Sequence, residues 1–557
     1  MLAIPVCLTS LDTSSDGSLS QVSAWIKTCS KSHPLCARKH KHTLPTRLID
    51  VGVGQTPKIR VVESENLSSS TQYLTLSHCW GKAPLSKLLV SNLDAYKEEI
   101  PLEKLPKTFL DSVSLTRRLG MRFIWIDALC ILQDSKADWK QESRIMGQVY
   151  SNSHLNIAAS ASSDGQGGLF HRRDPLAAAS CIIKPSWPNW PQEPLICYDE
   201  VDTHSEVYRS VLNERAWVLQ ERLLASRAVN FTEKQIWWTC RTITASESYP
   251  SGYPMKDDLN KWNLWKEGVL VHGDAERAKL CLVWDKIVLE YTRRKLTYES
   301  DKLVALSGLA KEMNREYGDV IGGRSVNYLA GIWSVSFTRG LLWSTKGVDA
   351  APDHRPRRSK DYRAPSWSWA SIEGPIAAPT ENVDTGLPSM RLINVPEAKT
   401  SPLDDAYGAV NQGFMVITGP LCKVPAGLCL PVFALHPFYS PGTSQLAHGA
   451  GETFIFWDDW TPAVVEQLNS SPFYLLGCQC VFTGPESLMY GLVLTPAGPK
   501  GQFRRVGYFD YLEPSERELK HPWNNIMKLL GAEPPTRENY NTRFLEKGIV
   551  AYQFSVI

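Results

Sequence analysis

Phe123-Ile-Trp-Ile-Asp127 is an uninterrupted apolar run closed by one carboxylate. A strand that alternates buries one face; a strand without alternation buries both, as a parallel sheet covered by helices requires. Upstream, Leu105-Pro-Lys-Thr-Phe109 opens a helix in which Phe109, Val113 and Thr116 share a face, with Pro near its start and Gly120 after its last turn. Further upstream, Tyr73-Leu-Thr-Leu-Ser77 has the β-favouring alternation of a strand. Downstream, Asp138 is placed to cap a helix reaching about Tyr150, and Leu155-Asn-Ile-Ala-Ala159 alternates again. Strand, helix, strand, helix, strand implies right-handed crossovers and a doubly wound, mostly parallel α/β sheet. Its ligand crevice lies beyond the carboxyl ends of the strands, near Ser77, His78, Asp127 and Ser160 to Ser163.

The rest of the 557 residues divides around this core. Residues 1–60 form a lead-in with a short helix from about Gln21 to Ser30, and residues 61–245 the α/β domain. Residues 246–410 are a helical and linker region, with Leu280, Trp284, Ile287, Val288 and Tyr291 at helical spacing and a polar, Pro- and Arg-rich tract interrupted by Pro365-Ser-Trp-Ser-Trp-Ala370. Residues 411–557 carry short apolar runs separated by Gly and Pro, such as Phe414-Met-Val-Ile417 and Phe473-Tyr-Leu-Leu476, which predict a β-rich C-terminal unit.

Lys and Arg total 60 against 58 Asp and Glu, with no long block of either sign, which excludes the footprint of a nucleic-acid binder. The chain has no apolar stretch of about 18 residues and no basic, apolar leader, so neither a membrane partner nor secretion is expected, and the location expected is cytoplasmic. Thirteen cysteines without a repeating frame fit reduced thiols in such a compartment. Cys29, His33, Cys36, His40 and His42 are zinc-ligand types within one short stretch. The Cys-x2-Cys pair is missing, and Cys29 fits the core face of a helix with Trp25 and Ile26, so no metal is expected there.

Several stretches together resemble the fungal heterokaryon-incompatibility (HET) family. They are Tyr73-Leu-Thr-Leu-Ser-His-Cys-Trp-Gly81, Leu105-Pro-Lys-Thr108, Arg117-Arg-Leu-Gly120, Ile124-Trp-Ile-Asp-Ala-Leu-Cys-Ile-Leu-Gln-Asp134, Asp138-Trp-Lys-Gln-Glu-Ser-Arg-Ile-Met-Gly-Gln-Val-Tyr-Ser-Asn152 and Asn213-Glu-Arg-Ala-Trp-Val-Leu-Gln-Glu-Arg222. Flanking pieces such as Leu44-Pro-Thr-Arg-Leu-Ile-Asp50 and Ala364-Pro-Ser-Trp-Ser-Trp-Ala370 look like longer members of the family. Ala128, where Ser is frequent, and Leu132, where Asn is common, depart from its pattern. The resemblance implies non-self recognition and regulated cell-death signalling. It also implies a TIR-like, flavodoxin-like core and, by distant analogy with TIR domains that cleave NAD, a glycohydrolase acting on NAD or a related nucleotide. Two other functions stand beside that one: a non-enzymatic module binding a protein partner or itself, and a metabolic enzyme taking a small apolar substrate. No resident cofactor is implied.

Within the helix after Asp138, Glu142 falls in the stripe of Trp139, Met146 and Val149, so a carboxylate points inward. Such a group is either in a structural ion pair, with Arg118, Arg122 or Arg215 as partner, or functional; by the TIR analogy it steadies positive charge during glycosidic cleavage. Asp127 is the candidate second carboxylate, with capping of the next turn as its alternative role. Ser77, His78, Trp80, Ser160 and Trp217 are the candidate ligand-binding residues, and Gln220 and Glu221 line the same crevice or seal the sheet. Adjacent residues of an extended chain point apart, so Ser77, His78 and Cys79 form no nucleophile–base pair. Cys130 reads as a buried thiol, and Asp164-Gly-Gln-Gly-Gly168 as a flexible loop.

Overall fold

The strand Leu74–Ser77 (β3) lies at the middle of the sheet that organises the N-terminal half of the molecule. The computed structural model describes residues 10–37, 43–52, 58–82, 86–176, 181–183, 195–197, 204–252, 274–320, 326–345, 354–377, 389–426, 429–431, 443–446, 452–483, 486–499, 501–513, 523, 527, 532–546 and 549–557. His40 and His42 lie outside them. Contacts divide the chain into two units, residues 1–270 and 271–557.

In the first unit the sheet contains β1 (Arg47–Asp50), β2 (Arg60–Glu63), β3, β4 (Phe123–Trp125), β5 (Leu155–Ala158), β8 (Arg227–Phe231), β9 (Ile236–Cys240) and β10 (Thr244–Ser246), while β6 (Cys181–Ile183) and β7 (Leu195–Cys197) pair separately. Its order is β10-β9-β8-β5-β3-β4-β1-β2. β3 pairs in parallel with both β4 and β5, and β5 with β8, so the three strands expected from sequence are parallel neighbours. Every residue of β3, β4 and β5 is buried, and the polar side chains among them, Thr75, Ser77 and Asn156, hydrogen-bond one another.

The sheet is mixed rather than mostly parallel. The expected lead-in contributes β1, which runs antiparallel to β4 with Ile49 opposite Ile124, and β8-β9-β10 is an antiparallel meander. Its helices among the described residues are α1 (Asp16–Ser32), α2 (Leu93–Glu98), α3 (Lys107–Arg118), α4 (Asp127–Cys130), α5 (Lys136–Asn152) and α6 (Ala216–Leu224). α1 is longer than expected because Ser15 caps it, accepting from Ser18 N. α5 is capped by Ser135, not Asp138; Asp138 lies in the first turn and pairs with Arg47 at 2.6 Å. Gly120, at φ 71°, ends α3 in the conformation that only glycine adopts at little cost. The Gly-rich segment after β5 is stitched down: Thr108 N donates to Gly165 O at 2.9 Å and Ser162 Oγ to Gly168 O at 2.6 Å.

The second unit begins with α7 (Asp274–Thr292) and α8 (Ser307–Val320) and continues into a sheet of twelve strands among the described residues, antiparallel except where Gln502–Glu513 meets Ile549–Val556. Its core holds Trp457, Phe473, Leu475, Met489, Val493 and Phe509. The Pro365–Ala370 block is core, not linker: Trp367 and Trp369 are buried, and Trp369 Nε1 donates to Gly331 O at 3.0 Å.

Candidate functional site

The parallel order reverses at β3, whose neighbours β4 and β5 both follow it in the chain, and the carboxyl ends of β3, β4 and β5 therefore diverge at one place. Ser77 ends β3 and is buried; Asn156 of β5 donates to its Oγ at 3.1 Å and accepts from Thr75 Oγ1 at 3.0 Å. His78 follows, 1% exposed, with its ring edge-on to Phe109 at 5.0 Å between centroids. Burial lowers its pKa to about 4 despite Asp127 Oδ1 at 3.7 Å from Nδ1, so the imidazole is neutral near pH 7 and its buried Nε2 finds no hydrogen bond. The next side chain points away as strand geometry demands: Cys79 packs with Ala158, Leu212 and Val218, and burial pushes its thiol up to about 11. Burial likewise drives Cys130 well up, so neither thiol is a thiolate nucleophile.

Asp127 begins α4 at the end of β4, half-buried, and accepts hydrogen bonds from Ala128 N at 2.7 Å and Trp80 Nε1 at 2.9 Å. Asp127 is the first residue of α4 and not its cap, which is Ile126 without a side-chain hydrogen bond; its carboxylate instead holds the half-buried Trp80 indole. Arg215, just before α6, donates to the backbone oxygen of His78 and ties the helix to the end of β3. Trp217 and Glu221, four residues apart on α6, share a face. Trp217 is half-buried. Ser160 is buried, with no hydrogen bond to its Oγ.

The most unusual group here is Glu221. It is 2% exposed, its Oε2 finds no hydrogen bond, and it faces Arg215, the Ser77 and Tyr150 hydroxyls and Asp127. Burial raises its pKa to about 7, the nearby Arg215 charge only partly opposing. Beside it, both polar side-chain atoms of Gln220 are buried without partners. The site therefore combines a neutral imidazole, the half-buried carboxyl group of Asp127, a carboxyl that titrates near neutrality, a guanidinium and two half-buried indoles. Sequence reasoning left Glu221 undecided and missed Arg215, Tyr150 and Asn156 as members of the site. The signal was the polar pair Gln220-Glu221 in a helix whose Ala216, Val218, Leu219, Leu223 and Leu224 are all buried.

Glu142 faces other groups. It is 1% exposed on α5 near Thr46, Arg47, Asp138 and Glu63; neither oxygen makes a well-aligned hydrogen bond, and burial raises its pKa, with the Thr46 hydroxyl opposing. The three arginines expected as its partners are engaged elsewhere: Arg118 with Asp16, Arg122 with Asp50 and Arg215 with His78. The nearby cation is Arg47, which bonds Asp138 and the Cys130 carbonyl.

In the second unit, a groove of about 950 Å³ is lined by Arg358, Lys360, Tyr362, Lys399, Phe414 and Arg504 among others. The aromatic cavity among Trp284, Trp333, Trp343 and Trp369 is about 20 Å³, room for a water molecule and not for a substrate. Among the described residues no helix is long and apolar enough to cross a membrane.

Residues 73–221 match the family model described as heterokaryon incompatibility protein (HET). No curated protein and no solved structure matches the chain.

Proposed function

We propose, from the premise that this chain carries a HET domain over residues 73–221, that the crevice at the ends of β3, β4 and β5 binds a nucleotide such as NAD in the service of incompatibility and cell-death signalling. The observation that carries this reading is Glu221, a buried carboxyl raised to about 7 near the half-buried carboxyl group of Asp127. A protein holds such a group where a proton or a developing positive charge must be handled, and two carboxyls in unlike environments divide the acid and base roles between them. Trp80 and Trp217 offer stacking faces, Arg215 a partner for phosphate, and Ser77 and Asp127 acceptors for ribose hydroxyls. The strand order β4-β3-β5-β8 supports the flavodoxin-like comparison, in which a nucleotide sits at the point of reversal. Ser160 and His78 complete the polar floor.

In this reading Asp127 keeps the catalytic role expected of it and Glu221 is its partner, while the surroundings of Glu142 favour a structural role. For glycosidic cleavage, Asp127 steadies positive charge at the anomeric carbon and Glu221 manages the proton of the attacking water. The test is incubation of the purified protein with NAD and related nucleotides, with product analysis and direct binding measurement. Glu221→Gln is expected to keep binding while lowering turnover on the order of a hundredfold or more. A wild-type protein that neither binds nor cleaves any nucleotide would overturn the proposal. A second reading, docking of a protein partner, is favoured by the second unit's groove, where Tyr362 is 55% exposed.

A further inference from the structure

Local sequence around Cys29 lacks the spacing of a zinc site, and the fold brings a distant cysteine to it. Cys29 closes the buried face of α1, His33 follows the helix, and Cys36 lies in the turn after it. The fourth group is Cys240 at the end of β9, separated from His33 by 207 positions. The three sulfurs and one His33 ring nitrogen all lie within 4.8 Å of one another. Tetrahedral zinc, with Zn–S about 2.3 Å and Zn–N about 2.0 Å, requires ligand-to-ligand edges of roughly 3.5–3.8 Å. Cys240 Sγ stands 3.5 Å from His33 Nδ1, so that edge already has the required length and the longer ones need only small side-chain rotations.

The surroundings fit thiolates. Thr242 N and Ile243 N donate to Cys240 Sγ at 3.4 and 3.3 Å, two amides of one turn converging on one sulfur. Arg227 Nε donates to Cys29 Sγ at 3.2 Å, and Thr242 Oγ1 is 3.7 Å from Cys36 Sγ. Three thiolates and a neutral imidazole around a dication leave one net negative charge, and the buried Arg227 guanidinium compensates it. Cys29, Cys36 and Cys240 are buried thiols outside any disulfide. We propose that Cys29, His33, Cys36 and Cys240 bind one zinc ion as a closed structural site of three sulfurs and one nitrogen.

Four protein ligands leave no position for water or substrate, so the ion has a structural and not a catalytic task. The register of β8 with β9 sets Cys240 opposite Arg227, the first residue of β8. The site is therefore at the amino end of a strand parallel to β3 and β5, across the sheet from the carboxyl-end crevice, and stands independently of the nucleotide reading. It clips the N-terminal helix to the β9–β10 hairpin, closing a loop of some two hundred residues that is entropically costly to close.

The test is elemental analysis of the full chain purified under reductant without chelator. The expected result is about one zinc per chain, with Cys240→Ser and the half-exposed His33→Ala each losing most of it. Should those variants fail to fold, the wild-type protein exchanged with cobalt(II) gives the decisive reading: a thiolate-to-cobalt charge-transfer band and intense tetrahedral d–d bands. Folded protein that holds no zinc and takes up none, variants that keep wild-type zinc content, or a cobalt spectrum lacking thiolate ligation would each overturn the assignment.

Discussion

Replacing Glu221 by Gln should stabilise the protein at alkaline pH and leave it nearly unchanged in acid. The folded protein holds the Glu221 proton up to about pH 7, because burial penalises the ionised form, whereas the unfolded chain releases it near the ordinary value of 4.5. Between those pH values the unfolded state binds fewer protons than the native state. Stability therefore falls as pH rises through this window, and the full loss is present above about pH 7. The gap between about 7 and 4.5 corresponds to roughly 3 kcal/mol for a carboxyl that is 98% buried by exposed area. Wild-type melting alone does not isolate this. His78 works in the opposite sense, since its value is lowered from 6.5 to about 4 and its contribution is lost as pH falls through that range. Arg215, Asp127 and the Ser77 and Tyr150 hydroxyls also face Glu221. The informative quantity is the difference in melting temperature, Glu221→Gln minus wild type, in which the groups common to both proteins largely cancel. Measured by differential scanning fluorimetry or calorimetry from pH 4.5 to 8, that difference should grow by about 5–10 °C for a unit of this size. A difference that stays flat to within about 1 °C across the range would refute the buried, proton-holding carboxyl, and with it the basis for assigning Glu221 a chemical role.

Gly81→Ala should destabilise the first unit by about 2 kcal/mol or more in chemical denaturation, because φ is 64° and a Cβ there would lie 2.2 Å from the Asp164 Cβ. Arg173→Met should cost about 3–5 kcal/mol, since it strands the buried Glu247 carboxylate that also accepts from Ser18 Oγ at 2.6 Å and Ile236 N at 2.7 Å; urea titration reads the loss. Arg505→Lys should lower the melting temperature of the second unit by several degrees. Lysine cannot reproduce the fork that bonds Asp458, Leu341 O and Trp343 O while stacking on Trp343 at 3.5 Å. Glu142→Gln should leave nucleotide binding and turnover within about twofold of wild type, as a neutral group suits a site where burial already raises the carboxyl's pKa; a loss approaching the hundredfold scale of a catalytic carboxylate would return it to the chemistry.

The amino-acid sequence by itself determined the centre of the fold and the address of the site. Phe123–Trp125 is apolar throughout because both faces are covered, Leu74–Ser77 has the alternation of a strand, and the punctuation of α3 by Pro106 and Gly120 is local chemistry that any reading of the chain can recover. Those elements alone put Ser77, His78 and Asp127 at the ends of parallel strands, and the structure joins His78, Trp80 and Asp127 there. What periodicity cannot carry is the identity of the partner across space. It turned Glu142 inward but not toward Arg47, from a strand it had read as a lead-in. It left Glu221 as one residue of an amphipathic helix, because its raised proton affinity comes from burial in the folded protein, with Asp127 adding to it and Arg215, Ser77 and Tyr150 opposing, and these groups come from four separate stretches of chain. It set aside Cys29, His33 and Cys36 because no Cys-x2-Cys pair is present and Cys29 fits the core face of a helix; Cys240 joins them only when β9 pairs with β8 and the hairpin folds back on α1. Local spacing fixes which face a side chain presents; the electrostatics and coordination of a site depend on groups that only tertiary folding brings within a few ångströms.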